Sequence, residues 1–202
     1  MDPVRFLSVD TAAADQSLVA LDDLKDDLGI TSSSEDDYLT RQIASASADI
    51  ALYCDRVFKT ETVIETFHLT QTERLLCLER YPVGSIGSIT VDGTALASGL
   101  YQADGDTGHL YRKDSDGDIT TWAICRTVVT YDAGYDTIPA DLEAACISLI
   151  KARRSARTRD PVLRSEEIPD VYKAAYWVSG PGDGELPPDV TAALDRYRKI
   201  SL

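Results

Sequence analysis

Residues 34–57, SEDDYLTRQIASASADIALYCDRV, carry the strongest helical signal in this sequence. Their apolar positions recur every three or four residues, which places them on one face of an α-helix. These positions are Leu39, Ile43, Ala46, Ile50, Tyr53 and Val57. Ser34 is the expected N-cap, and residues 35–37 are acidic, which suits the positive end of the helix dipole. The length of this apolar seam predicts a helix that packs against several others.

A shorter helix is predicted immediately upstream, within residues 18–29. Its leucines form an apolar stripe beside an acidic face. The stripe consists of Leu18, Leu21, Leu24 and Leu28. Gly29 marks the end of this helix, because glycine readily adopts the left-handed conformation that terminates helices. We assign residues 1–17 to an N-terminal segment and residues 18–59 to the first helical part of the chain.

The sequence changes to a strand-like pattern in residues 60–135. This region is rich in β-branched and aromatic residues and is divided by Asp/Gly turns such as Asp92-Gly93. The spacing of the turns predicts about six short antiparallel strands. The segment Gly84–Ser88, GSIGS, lacks the Gly-Lys-Ser/Thr of a phosphate-binding loop, and we interpret it as a bend between strands.

A third helix is predicted within residues 136–159, with Pro139 in its first turn. Its apolar side carries Leu142, Cys146, Leu149 and Ile150. The helix ends in a basic run, which the negative end of the helix dipole favours. This run comprises Lys151, Arg153, Arg154, Arg157 and Arg159. Residues 160–202 show little periodicity until a short last helix, and they are interpreted as a C-terminal arm.

These elements predict an α+β fold. Two N-terminal helices and a central helix form a helical core. An antiparallel β domain is inserted between the second and third helices. The extended C-terminal arm ends in the short helix, which carries Val190, Leu194 and Tyr197 on one face.

The chain is strongly acidic, with 20 Lys and Arg against 34 Asp and Glu and a net charge of −14. Residues 1–150 hold 10 basic and 26 acidic side chains, whereas residues 151–202 hold 10 and 8. This charge argues against sequence-independent binding of duplex DNA, which requires clustered Lys and Arg. There is no apolar run long enough for a membrane span and no pattern typical of a secretory signal. We expect a protein that is made in the cytoplasm and does not associate with a membrane.

The sequence contains no recognisable catalytic or metal-binding motif. Histidine, the commonest general base, occurs only as His68 and His109, and neither has a catalytic motif around it. The cysteines lack the paired spacing of zinc sites, and we expect them to be reduced and buried. They are Cys54, Cys77, Cys125 and Cys146. We therefore predict no catalytic residue, no cofactor and no metal, and a chain that is not an enzyme.

Two alternatives come from other functional classes. A calcium-assisted, β-rich binding module would hold the ion at Asp114, Asp116 and Asp118. Gly117, however, occupies the fourth position of this loop instead of the sixth, and these residues are more typical of a hairpin tip than of a calcium loop. A small hydrolase with an unrecognised site is the other alternative, but the scarcity of histidine and the lack of a nucleophile elbow count against it.

The C-terminal part of the chain carries residue types that are common at interface anchors. Tyr, Trp and Arg bury a large area with few rotatable bonds, so the aromatic cluster of Tyr172, Tyr176 and Trp177 indicates a partner. The alternative is that these aromatics fold back onto their own core. The predicted interface residues are Arg153, Arg154, Arg157, Arg159, Tyr172, Tyr176, Trp177, Leu194, Tyr197 and Arg198.

Several strings of the sequence resemble the head–tail connector or adaptor proteins of long-tailed bacteriophages and related gene transfer agents. LDDLKDDLGI (21–30) and EDDYLTRQIASASADIALYCDRVF (35–58) resemble the first two helices of that family. ERYPVGSIGSITVDG (79–93) resembles its entry into the β region, and VVTYDAGYDTIPADLEAACISLIKARR (128–154) its strand, turn and Pro-led helix. The final PPDVTAALDRYRK (187–199) is more loosely similar to the last helix of such subunits. Residues 160–187 diverge from the family.

The resemblance implies a structural subunit of a virion or phage-like particle, assembled in the bacterial cytoplasm. The family forms a ring, commonly of twelve copies, under the portal protein. The ring extends the DNA channel, through which DNA passes without specific binding, and it provides the docking platform for a neck, stopper or tail-completion protein. The C-terminal segment of the family commonly contacts the portal, and no catalytic residue is carried over from it.

Overall fold

The computed structural model contains four α-helices and antiparallel β-sheets within the residues that it describes, which confirms the predicted α+β class. The described residues are 4–157, 165–168, 172–175 and 186–199. The chain divides into two units. The β unit comprises Met1–Asp15 and Val57–Thr137, and the helical unit comprises Gln16–Arg56 and Ile138–Leu202.

The β unit contains two antiparallel sheets. Its strands are β1 (Val4–Thr11), β2 (Glu61–His68), β3 (Leu75–Cys77), β4 (Val83–Val91), β5 (Thr94–Ala95), β6 (Tyr101–Asp104), β7 (His109–Lys113), β8 (Ile119–Thr120) and β9 (Arg126–Ala133). The larger sheet has the strand order β1-β2-β9-β4-β5. The smaller sheet has the order β3-β7-β6, and β8 also pairs with β7. Eight of these strands lie within the region for which the sequence predicts about six.

The β unit has a core of buried, mainly apolar side chains. Side chains alternate along β2 and β9, so that Val63 and Phe67 of β2 and Val129 of β9 are buried on one face. Leu110 and Trp122 belong to the same buried cluster. The Trp122 indole N–H donates a hydrogen bond to the Leu110 carbonyl at 3.2 Å, which satisfies its one polar group.

Glu65 is a fully buried carboxylate in this largely apolar layer. It accepts hydrogen bonds from the Tyr131 hydroxyl at 2.8 Å and from the Glu79 backbone N–H at 3.0 Å. The Arg5 guanidinium lies 3.4 Å from its other oxygen and also pairs with the Glu79 carboxylate. Burial raises the pKa of Tyr131 far above its usual range, and the neighbouring Glu65 charge adds to this. Arg5 belongs to β1, a strand that the sequence analysis does not predict.

The segment Gly84–Ser88 continues strand β4 and does not form the bend that we predicted from its sequence. The pairing of β4 with β9 is irregular between Val83 and Ser85 and again between Ile86 and Ser88. Gly84 and Gly87 fall at these two irregularities. Glycine is common at such bulges, and the strand continues through both of them.

The helical unit contains α1 (Leu21–Leu28), α2 (Asp36–Cys54), α3 (Ala140–Arg157) and α4 (Pro188–Leu194). It also contains the antiparallel pair β10 (Ser165–Ile168) and β11 (Tyr172–Ala175). Within the described ranges, no helix combines the length and the apolar character that crossing a bilayer requires.

The buried face of α2 confirms most of the predicted seam. Leu39, Ile43, Ala46 and Ile50 are buried. The last two predicted positions are wrong: Tyr53 is half-buried, Val57 lies beyond the helix, and Cys54 is buried in their place. The helix ends because Asp55 adopts the left-handed conformation, so the helical period does not extend to Val57.

The start of α2 also differs from the prediction. The helix begins at Asp36 after Glu35, and Ser34 is not its N-cap. The Ser34 hydroxyl instead forms a hydrogen bond with the Ser32 hydroxyl at 2.9 Å. Gly29 does end α1, with a φ of 67°, as predicted. Leu18 precedes α1 and is nevertheless buried, with its backbone N–H donated to the Ser47 hydroxyl.

The later helices bury the predicted positions. Leu142, Cys146, Leu149 and Ile150 of α3 are buried. Val190 and Leu194 of α4 are also buried, whereas Tyr197 belongs to a 3-10 turn, Asp195–Tyr197, that follows α4. Of the four cysteines, Cys54 and Cys146 are buried as expected, but Cys77 is exposed and Cys125 is half-buried. Burial raises the pKa of Cys54 and of Cys146 to about 11, so both thiols are protonated at neutral pH.

Substitution of Gly134 tests the close approach of the chain at the end of β9. Gly134 has a φ of 119°, and a Cβ there would lie 2.5 Å from the Lys59 carbonyl oxygen. We expect Gly134→Ala to lower the free energy of unfolding by more than the roughly 1–2 kcal/mol that the unfavourable φ alone costs. Gly117→Ala is the control, because Gly117 has a φ of 90° but no atom within 4 Å of such a Cβ. Chemical denaturation measures both, and equal losses would contradict the steric explanation.

Candidate functional site

The first turns of α2 and the last turns of α3 form a cleft of about 580 Å³, which we call the arginine cleft. It is lined by Ser34, Glu35, Tyr38, Arg41, Arg154 and Arg157. Three of these six residues are arginines, although the whole chain has a large excess of acidic side chains. The arginine cleft is therefore a local departure from the charge of the molecule.

Packing of α2 against α3 places the two sides of the arginine cleft together. Ser47 and Cys146 are buried and lie in contact, with 3.9 Å between the hydroxyl oxygen and the sulfur. Further along both helices, Arg153 donates to the Asp49 carboxylate at 2.5 Å. These contacts fix the register of the two helices and hence the separation of the residues at the cleft.

The arginines of the cleft make different contacts. Arg154 donates to the Glu35 carboxylate at 2.6 Å, and the guanidinium carbon of Arg157 lies 4.9 Å from the centre of the Tyr38 ring. The hydrogen bond from Arg154, reinforced by the charges of Arg154 and Arg157, lowers the pKa of Glu35. Arg41 is exposed and makes no hydrogen bond or ion pair with the described part of the chain. One carboxylate therefore faces three guanidinium groups.

The structure brings two of the predicted interface residues, Arg154 and Arg157, into the arginine cleft. Arg153 lies outside the cleft and pairs with Asp49. Tyr172 begins β11, for which only the backbone is described. Arg159, Tyr176 and Trp177 lie outside the described residues.

The other predicted interface residues hold the C-terminal helix within its own unit. Leu194 is completely buried. The Tyr197 hydroxyl lies 2.8 Å from both carboxylate oxygens of Asp141, and the Arg198 guanidinium lies 5.0 Å from the centre of the Tyr53 ring. Leu194 thus packs inside its own unit, whereas Tyr197 is half-buried and Arg198 is exposed.

The residues that α2 contributes to the cleft carry no functional motif in the sequence. Glu35 was assigned to a helix start, and Tyr38 and Arg41 were not singled out. The available signal was the i, i+3 spacing of Tyr38 and Arg41, which places both on one exposed side of a helix. The sequence could not show that this side meets the basic end of α3.

The remaining candidate groups show no arrangement for catalysis or metal binding. His68 and His109 make edge-to-face contacts with Phe6 and Tyr111. The Asp114 carboxylate accepts the backbone N–H groups of Asp116 and Asp118 at 3.0 Å, which is the geometry of a hairpin tip. Within the part of the chain that is described, no three His, Cys, Asp or Glu side chains are grouped as metal ligands would be.

Comparison with known proteins gives one family match and several related structures. The model of a family described as "head completion protein" matches residues 17–153. No curated protein matches this chain in sequence. Among solved structures, a similar chain occurs in the neck of an empty gene transfer agent (GTA) particle computed with C6 symmetry. It has 16% sequence identity and a TM-score of 0.60, and the match covers 98% of this chain and 97% of that chain.

Two further matches come from similar particles. The neck of a native GTA particle computed with C12 symmetry gives 15% identity and a TM-score of 0.58. The virion of a native gene transfer agent (GTA) particle gives 16% identity and a TM-score of 0.57. Each of these two matches covers 98% of this chain and 97% of the chain that it matches. At this level of identity, these matches show a shared fold.

Substitution of Arg154 tests the charge balance of the cleft. We expect Arg154→Ala to raise the pKa of the Glu35 carboxyl towards the ordinary glutamate value of about 4.3, because the main hydrogen-bond donor is removed. Titration of the Glu35 side-chain carbon by NMR measures this pKa. Arg153→Ala is the control. Arg153 lies on the same helix but pairs with Asp49, so its removal should leave the pKa of Glu35 unchanged. An equal pKa of Glu35 in the wild type and in Arg154→Ala would contradict the assignment.

Proposed function

This chain belongs to the head completion protein family, and from that premise we propose that it is the head–tail adaptor subunit of a tailed phage or gene transfer agent particle. In this proposal, copies of the chain form a ring under the portal protein. About twelve copies are expected, as in the C12 symmetry of one related neck. The ring extends the DNA channel and provides the platform on which a neck, stopper or tail-completion protein docks.

The observation that carries this proposal is the agreement of fold and family over most of the molecule. The family match covers both helices before the β region, the β region itself and most of α3. The structural matches extend over nearly the full length of both chains, and two of the three are necks of particles. A structural role at the neck is consistent with the titratable groups described above, which form no catalytic arrangement. We propose that the chain is not an enzyme.

The charge of the molecule suits a channel through which DNA passes. A net charge of −14 per copy gives a ring a negative potential, which repels phosphate and prevents adhesion of DNA to its wall. We therefore propose that DNA passes without specific binding. The location in this proposal is the neck of the particle, without membrane association, after assembly in the bacterial cytoplasm.

We further propose that the two regions of the chain have separate roles. Helices α1–α3, with the β region inserted between α2 and α3, form the body of the ring subunit. The C-terminal arm, residues 160–202, contacts the portal protein through Tyr172, Tyr176 and Trp177, together with Arg159 just before the arm. Aromatic and arginine side chains are the residue types that most often dominate the energy of such contacts.

Loss of this chain is expected to leave heads and tails that do not join. The measurement is electron microscopy of particles from cells that lack the gene, together with mass spectrometry of purified particles. Cells that carry a wild-type copy should yield joined particles with this chain at the neck. Joined, functional particles from cells without the chain would overturn the proposed function.

Substitution of the aromatic pair in the arm tests the portal contact. We expect Tyr176→Ala/Trp177→Ala to weaken binding to the isolated portal ring by at least about tenfold, which is typical for the loss of aromatic anchors. Phe6→Ala is the control, because Phe6 is an exposed aromatic of the β unit. Pull-down or surface plasmon resonance gives the affinities. If the two variants bind the portal equally well, the arm is not the portal contact.

A further inference from the structure

The arginine cleft has more positive charge than its own carboxylate neutralises. Arg154 is paired with Glu35, whereas the guanidinium of Arg157 lies over the face of the Tyr38 ring. Arg41 has no ion pair within the described residues. The cleft is open to solvent and holds a volume of about 580 Å³. Guanidinium groups bind carboxylates through paired N–H donors, so the cleft can accept at least one further acidic group.

A complementary surface lies on α1 of the same chain. Asp22, Asp23 and Asp26 are exposed, and their spacing places them on one side of the helix, which we call the acidic face. These three carboxylates have no ion pair with the described part of the chain. The other charged residues of α1 are already paired, Lys25 with Asp36 and Asp27 with Lys151.

We propose that the arginine cleft of one copy binds the acidic face of the neighbouring copy in the ring. This inference rests on the proposed function, because it names the surfaces by which the ring closes. In this proposal each copy binds one neighbour with its cleft and the other neighbour with its acidic face, which makes the contact head-to-tail. A head-to-tail contact produces a closed ring when its repeated rotation completes a full turn.

The charge of the molecule explains why such a contact is needed. Copies that each carry a charge of −14 repel one another, and this repulsion opposes assembly. Placing Arg41 and Arg157 opposite the acidic face of α1 replaces part of that repulsion with attraction and selects one orientation. Exposed ion pairs are individually weak, so the contact depends on several pairs and on its repetition around the ring.

The same chain contains a second source of carboxylate groups for the cleft. The chain continues from Arg157 into residues that include Glu166 and Glu167. The acidic face of α1 is favoured because its carboxylates lie on a described, exposed helix without partners. A test therefore has to separate these two sources of carboxylate.

Charge reversal on both surfaces tests the proposal. Arg41→Glu/Arg157→Glu and Asp22→Lys/Asp23→Lys should each reduce the number of copies per neck at least tenfold, whereas the variant with all four changes should regain the wild-type number. The measurement is quantitative mass spectrometry of particles from cells that express each variant, with the portal protein as the reference. The melting temperature of each purified variant shows that it is folded.

A second combination controls for net charge. Asp106→Lys/Asp116→Lys reverses two exposed carboxylates at hairpin tips of the β unit. Combined with Arg41→Glu/Arg157→Glu, it restores the same net charge as the four-change variant, but it should not restore assembly. Recovery in this combination would show a general charge effect and overturn the proposal.

The remaining outcomes also decide between the possibilities. Glu166→Gln/Glu167→Gln should leave the number of copies unchanged. If Glu166→Gln/Glu167→Gln loses assembly and Asp22→Lys/Asp23→Lys does not, the arm is the occupant of the arginine cleft and the contact with α1 is refuted. If the wild-type chain is absent from necks, the proposed function fails; if it is present but the four-change variant is not rescued, the subunit contact alone fails.

Discussion

The packing of α2 against α3 is the constraint on which the helical unit depends. Leu39 and Ile43 of α2 and Leu142 and Leu149 of α3 are buried, and removal of this apolar area from water is the main source of stability for such an interface. The same packing brings together residues that are 119 positions apart, as in the pair of Glu35 and Arg154. The arginine cleft is therefore a consequence of the core, and any change of helix register would dismantle it.

The buried Glu65 carboxylate places a different constraint on the β unit. A buried charge is costly unless it is paired and hydrogen-bonded. Tyr131 and the Glu79 backbone donate hydrogen bonds to one carboxylate oxygen, and Arg5 forms an ion pair with the other. Because Arg5 lies on β1, the N-terminal strand supplies the positive charge that a residue of the neighbouring strand β2 needs. The first residues of the chain are thereby tied to a sheet whose other strands begin more than fifty residues later.

The distribution of charge links the fold to the proposed assembly. An acidic surface favours passage of DNA without adhesion, but it also makes copies of the chain repel one another. In the proposed assembly, a small cluster of arginines, held in place by two packed helices, reduces this repulsion at one location. The acidic helix α1 and the arginine cleft belong to the same helical unit, so a single folded unit presents both partners of the proposed contact.

Local sequence signals were sufficient to identify several of the elements. The period of Leu142, Cys146 and Leu149 identified α3 and its buried side, and Gly29 identified the end of α1, because helical periodicity and left-handed glycines act within a few residues. Strand β1 was missed because its side chains are largely exposed, so VRFLSVDT lacks the alternation of a half-buried strand. The packing of Leu194 inside its own unit, and not at an interface, and the presence of Arg41 and Arg157 in one cleft follow from the folded chain. Contacts between residues far apart in the sequence depend on how apolar faces pack, and no local pattern records them.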